Sequence, residues 1–147
     1  MKVSSLKNGV KWIVALGVVC VFGTGGCSKG GNHTAVRGEV TLDGKPLEQG
    51  SILFMPIKGT RGVATGTGIR HGRYEISNTT GPAVGWNRVQ IQAMRGTGTM
   101  VPSPLAPPGR MIEMETAAVA PRFNSASILK FEIKPGDNSA NFDVQSE

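Results

Sequence analysis

Groups suited to nucleophilic, acid–base or metal chemistry are few in these 147 residues: two cysteines, two histidines and 10 carboxylates. His33 follows a run of glycines and His71 precedes Gly72, and neither sits in a metal-binding spacing such as His-Glu-x-x-His. Glu113 and Glu115 lie two apart within a proline-rich stretch, a weak basis for paired-carboxylate catalysis. "GVATGTG" (62–68) has the glycines of a phosphate loop but lacks the Gly-Lys-Ser/Thr ending, and no helix pattern follows it. This inventory predicts no catalytic residue, no metal and no cofactor. The one constellation suited to binding is "WNR": Trp86, the only tryptophan beyond residue 12, offers an aromatic platform, and Asn87 and Arg88 offer polar contacts of the kind a saccharide needs.

Cys27 asks for a different chemistry. Lys2, Lys7 and Lys11 precede an uncharged apolar run, Trp12–Phe22, and "GTGG" leads from that run to Cys27. A positive start, a short apolar centre and small residues at the exit form the three-part layout of a secretory signal. Eleven apolar residues are too few for a spanning helix, which takes about 20. The segment resembles bacterial lipoprotein signal peptides, with Gly25 and Gly26 at the small positions before the cysteine and Thr24 in place of the usual Leu or Val. That resemblance implies cleavage after residue 26 and lipidation of Cys27; an ordinary signal peptide and an uncleaved anchor are the alternatives. One acyl chain binds a bilayer marginally, whereas two or three anchor stably. Residues 27–34 would form a short flexible tether and keep the protein extracytoplasmic, on the cell membrane or outer membrane. The mature chain would carry neither a free thiol nor a disulfide.

The formal charge of +6 invites a nucleic-acid reading, but its distribution argues against one. Three basic residues belong to the leader, leaving 13 of the 16 against all 10 acidic ones. These alternate along the chain and form no basic stripe, the footprint nucleic-acid binding requires.

From residue 35 the apolar period is two, the signature of half-buried strands. Val36, Val40 and Leu42 alternate with Arg37, Glu39 and Thr41, and "DGKP" supplies a turn. "SILFMP" is apolar on both faces, as a central strand would be, and Pro56 ends it. "VATGTGI" alternates weakly; His71-Gly72 marks a hairpin turn before Tyr74 and Ile76. "NRVQIQAM" sets Val89, Ile91 and Ala93 against Arg88, Gln90 and Gln92. "ILKFEIK" repeats the pattern, and "NFDV" closes the chain after "PGDN". The expectation is an all-β, seven-stranded antiparallel Greek-key sandwich over 35–147. Residues 96–120 break the rhythm with four prolines between 102 and 108, and read as a long Pro/Met-rich loop before the last two strands. In that loop Met100, Met111 and Met114 offer adaptable apolar contacts, and "RMIEMET" could make a short helical turn.

Taken together, "VRGEVTLDGKPLEQGSILFMP", "GIRHGRYEI", "GPAVGWNRVQIQ" and "VAPRFNSASILKFEI" resemble the transthyretin-like sandwiches called carboxypeptidase regulatory-like domains. Gly38, Val40, Asp43, Gly44, Pro46 and Leu47 fit that family's opening strand and turn. Gly72 and Tyr74 fit its hairpin, with His71 replacing Asp. Gly85 and Val89 fit the next strand, and Pro121, Phe123, Asn124 and Ser127 its last motif. The resemblance implies the fold and says little about activity. A hydrolase of the same fold uses histidines and an arginine within its strands and closes on a Tyr-Arg-Gly-Ser ending; this chain ends "FDVQSE". The expected role is therefore a non-catalytic, lipid-anchored envelope module with a protein partner, and the alternative is a glycan-binding module using Trp86, Asn87 and Arg88.

Overall fold

A computed structural model describes residues 34–105 and 107–146. Cys27, His33 and the segments expected to form a leader and tether, up to residue 33, lie outside the described residues.

The alternation in the first segment becomes strand β1 (Val36–Leu42), with Val36 and Val40 buried and Arg37 and Glu39 in solvent. Asp43 and Gly44 then take φ of 51° and 77°. Left-handed backbone at both central positions is what a two-residue hairpin turn demands, and β2 (Lys45–Pro46) folds back on β1. β3 (Gln49–Pro56) and β4 (Thr65–Arg70) follow. A second such turn, His71-Gly72 with φ of 49° and 76°, leads into β5 (Arg73–Ile76). β6 (Gly85–Gln92) is separated by Ala93 alone from β7 (Met94–Pro102), whose partner is β8 (Met111–Ala117). A 3-10 turn, Pro121–Phe123, precedes β9 (Lys130–Ile133), β10 (Asn138–Ser139) and β11 (Phe142–Val144).

The described residues are all-β, and their pairing is mainly antiparallel. The larger sheet runs β10-β1-β5-β4-β3-β6-β9, with β2 and β11 also on β1; β7 and β8 form a separate two-stranded ribbon. β3 holds the central place its two apolar faces suggest, between β4 and β6. The sheet is bent so that its two ends share one core. Phe131 on β9 and Phe142 on β11, from opposite ends of the order, stack edge to face with centroids 6.3 Å apart. Phe142 also meets the fully buried Phe54 of β3 at 6.5 Å, and Phe54 meets Tyr74 at 6.2 Å. Burying side chains of this size stabilises by about 1.5–3 kcal/mol each.

Four departures from the sequence reading follow. There are eleven strands among the described residues rather than seven, since β2, β7, β8 and β10 carry no clear period-two signal. β10 and β11 run parallel to β1 instead of antiparallel. The stretch read as a long loop is mostly the β7–β8 ribbon, and the suggested helical turn at "RMIEMET" lies in strand β8. Ala118, Val119 and Ala120 are buried, so the excursion from the body ends at 117.

β1 also gives the body two poles. At its start, Thr34 donates its hydroxyl to the Gly136 carbonyl and accepts from the Asn138 amide at 3.4 Å. At its finish, Leu42 lines one hollow with Leu47, Met94, Arg95 and Ala118, at the root of the ribbon.

Tyr74, the chain's single tyrosine, donates its hydroxyl to the Ala140 carbonyl at 2.6 Å inside the core. Burial raises its pKa well above the usual tyrosine value. A folded-state pKa above the unfolded one contributes stability that is complete below the unfolded value and is lost as pH rises past it. The melting temperature should therefore fall as pH climbs above about 10, and Tyr74→Phe should flatten that fall. Absorbance at 295 nm, which reports this one phenol, provides the check.

Candidate interaction surface

The ribbon is built by local hydrogen bonding with little support from the body. Ala118 N–H donates to the Ala93 carbonyl at its root, and cross-strand pairing then runs Met94↔Ala117, Arg95↔Thr116 and Gly96↔Glu115. A bulge follows. Gly98 adopts a φ of 75° and its N–H donates to Glu113 Oε1 at 2.7 Å, while the Thr97 hydroxyl donates to the Met114 carbonyl at 2.9 Å. Glu113 is thus a brace for the bulge, which removes it from any carboxylate pair with Glu115. Beyond the bulge, Met100↔Glu113, Val101↔Ile112 and Pro102↔Met111 restore the register, and Ser103 N–H to Arg110 O at 2.8 Å closes the tip.

Almost every ribbon side chain is exposed, and many are apolar: Met94, Met100, Leu105, Met111, Ile112 and Met114 all face solvent. Strand alternation puts Val101, Ile112 and Met114 on one face and Met100, Pro102 and Met111 on the other, so the apolar character concentrates toward the tip. A lone two-stranded ribbon is marginally stable in water, and contiguous exposed apolar surface marks a contact site. Methionine suits it, being flexible and polarisable. Sequence reading singled out Met100, Met111 and Met114 but missed Met94 and Ile112, whose environment emerges only once the strands pair.

The three residues proposed for glycan contact do not form one surface. Trp86 is 37% exposed, but the Lys58 ammonium sits 4.8 Å from the ring centroid and occupies one face. Asn87 is fully buried, correcting its assignment as a ligand contact. Its position shares the inward parity of Val89 and Ile91, and its amide donates to the carbonyls of Ala83 and Gly85, each at 2.9 Å. Arg88 points outward and is half-buried; its Nη2 lies 3.8 Å from Met55 Sδ, and its buried Nε has no partner among the described residues.

His71, at the β4–β5 turn, holds Glu48 at 2.9 Å across solvent-exposed surface. No group of three or more metal-binding side chains occurs among the described residues. No helix among them is long and apolar enough to cross a membrane.

No protein-family model matches the chain, and no curated protein matches it. Among solved structures, the chain is similar to part of a 9R-lipoxygenase from Cyanothece PCC8801, at 10% identity with a TM-score of 0.32. The match covers 75% of this chain and 16% of that one.

Proposed function

We propose that the protein is a non-catalytic module of the bacterial cell envelope, held extracytoplasmically by lipid on Cys27, that presents the β7–β8 ribbon to a protein partner. The body is read as a Greek-key sandwich of the carboxypeptidase regulatory-like type. The Asp43-Gly44 and His71-Gly72 turns and the buried Val40, Leu47, Tyr74 and Val89 support that reading, because they are the positions on which the resemblance rests.

The observation that carries the functional proposal is the ribbon itself: apolar side chains that stay exposed, among the described residues, on a strand pair joined to the body at its root. Leaving such surface in water is costly unless something covers it. Because Thr34 and the ribbon root lie at opposite poles of β1, a tether at the first leaves the second free to meet a partner.

One experiment tests anchor and ribbon together. The full chain, a Cys27→Ser variant and a variant with 96–115 replaced by Asn-Gly are expressed with a tag, cross-linked in the envelope, fractionated and purified. Cys27→Ser should move the protein out of the membrane fraction. The shortened ribbon should melt within a few degrees of the parent yet lose its cross-linked protein. Unchanged fractionation of Cys27→Ser would remove the anchor. Unfolding of the shortened chain, or an unchanged cross-link pattern, would remove the ribbon.

A further inference from the structure

β4 and β5 are joined by a tight turn but pair at one position only, Arg70↔Arg73. Beyond it they separate, leaving an open groove of about 670 Å³ across the outer side of β1, β5 and β4. Three arginines line it. Arg70 and Arg73 are directly opposed, and Arg73 lies diagonally from Arg37 because Arg37 pairs with Glu75 and Glu39 with Arg73. Like charges directly opposite on a sheet are destabilising, and such neighbours lie roughly 5–8 Å apart. Glu39 answers one of them, with Arg73 Nε at 3.4 Å. Arg37 and Arg70 have no carboxylate partner among the described residues.

Gly68 supplies a second, independent observation. A glycine inside a strand weakens it and often marks a place where another molecule comes close. Gly38, on β1 beside the groove, is explained by packing, since a Cβ there would collide with the Ala140 carbonyl. Gly66 is crowded in the same way by the Ile52 carbonyl. At Gly68 a Cβ would meet nothing nearer than the Gly50 carbonyl oxygen, 3.9 Å away. The fold has room for a side chain there, and the bare backbone keeps the groove open instead.

We infer that this groove binds a carboxylated saccharide. Guanidinium groups take carboxylates in a bidentate fork, and their diagonal spacing suits successive acidic sugars. Ser139, Asn141 and Glu75 on the same walls match sugar hydroxyls as donors and acceptors. Asn141 is held in place by accepting Glu39 N–H at 2.9 Å. The two glutamates among the arginines leave the lining at a net single positive charge, which suits a sparsely charged chain better than a dense run of phosphates, whose binding takes many more cations. The groove also has no free aromatic face for stacking bases, because Tyr74 is buried and bonded to Ala140.

The test titrates the full chain in detergent with tetragalacturonate, following heat release and melting temperature. Binding should raise the melting temperature and weaken at least tenfold in Arg37→Gln/Arg70→Gln. Gly68→Val should weaken it as much while leaving the unliganded melting temperature unchanged or higher. Arg70→Gln alone should melt slightly above the parent, since it removes the opposed charge. Lys130→Gln, on the far strand β9, should bind normally. No binding, equal binding of a neutral galactose tetramer, or undiminished binding by Gly68→Val would each overturn the inference. Equal binding of a tetraglutamate peptide, a single-stranded oligonucleotide or inorganic phosphate would overturn the saccharide and leave a bare anion site.

Discussion

Gly38→Ala should unfold the protein at a temperature roughly 10–15 °C below the parent, corresponding to about 3 kcal/mol at the upper end of overpacking costs. The added methyl would stand 2.6 Å from the Ala140 carbonyl carbon and nearer still to its oxygen. That oxygen cannot retreat freely, because it accepts the buried Tyr74 hydroxyl at 2.6 Å and Ala140 N–H is donated to Arg37 O at 2.9 Å. β10 and β11 would therefore be pushed off β1, loosening both the Phe142 contacts and the Ser139–Asn141 wall of the groove. Chemical denaturation should show a lower midpoint with little change in slope. A midpoint equal to the parent's would mean that the close approach of the 138–142 segment to β1 is wrong. The same variant should bind tetragalacturonate poorly even at temperatures where it remains folded.

Asn87→Asp should cost more than Asn87→Ala. Alanine leaves the Ala83 and Gly85 carbonyls without their donor, and each abandoned buried group costs about 1–3 kcal/mol. Aspartate does the same and also aims a negative charge at two carbonyl oxygens inside the body. Breaking a buried polar arrangement this way costs about 3–5 kcal/mol. Burial would raise the pKa of the new carboxyl, so its stability deficit should shrink as pH falls and the protonated acid regains a donor. Urea titrations of both variants at neutral and acidic pH measure this. If both melted like the parent, Asn87 would be a surface residue after all, available to a ligand.

How much of this was legible in the chain depends on whether a strand has one wet face and one dry face. β1, β5 and β6 do, and Val36, Val40, Tyr74, Ile76, Val89 and Ile91 announced them at period two. The Asp43-Gly44 and His71-Gly72 turns were readable because their backbone needs those residue types. The ribbon was not readable, because both faces of β7 and β8 meet solvent and no hydrophobic period exists to find. Asn87 was half legible: its parity with Val89 and Ile91 points inward, but its polarity suggested the opposite, and the Ala83 and Gly85 carbonyls that reward it come from an irregular turn. The groove divides the same way. Arg70 and Arg73 face each other by virtue of a turn that the sequence declares. Arg37 joins them only through the β1–β5 pairing, a contact across more than thirty residues of chain that local pattern cannot supply.

The placement of Thr34 and the ribbon root at opposite ends of β1 would make an anchored molecule a spacer. Seven residues of β1 and nine of β7, at about 3.3 Å each, give the two strands a combined reach of at most roughly 50 Å. With lipid on Cys27 and a short flexible tether, that reach would let the methionines meet a partner away from the headgroups, within a limited range of heights in the aqueous gap. The envelope's own thickness would then help decide what the protein can touch.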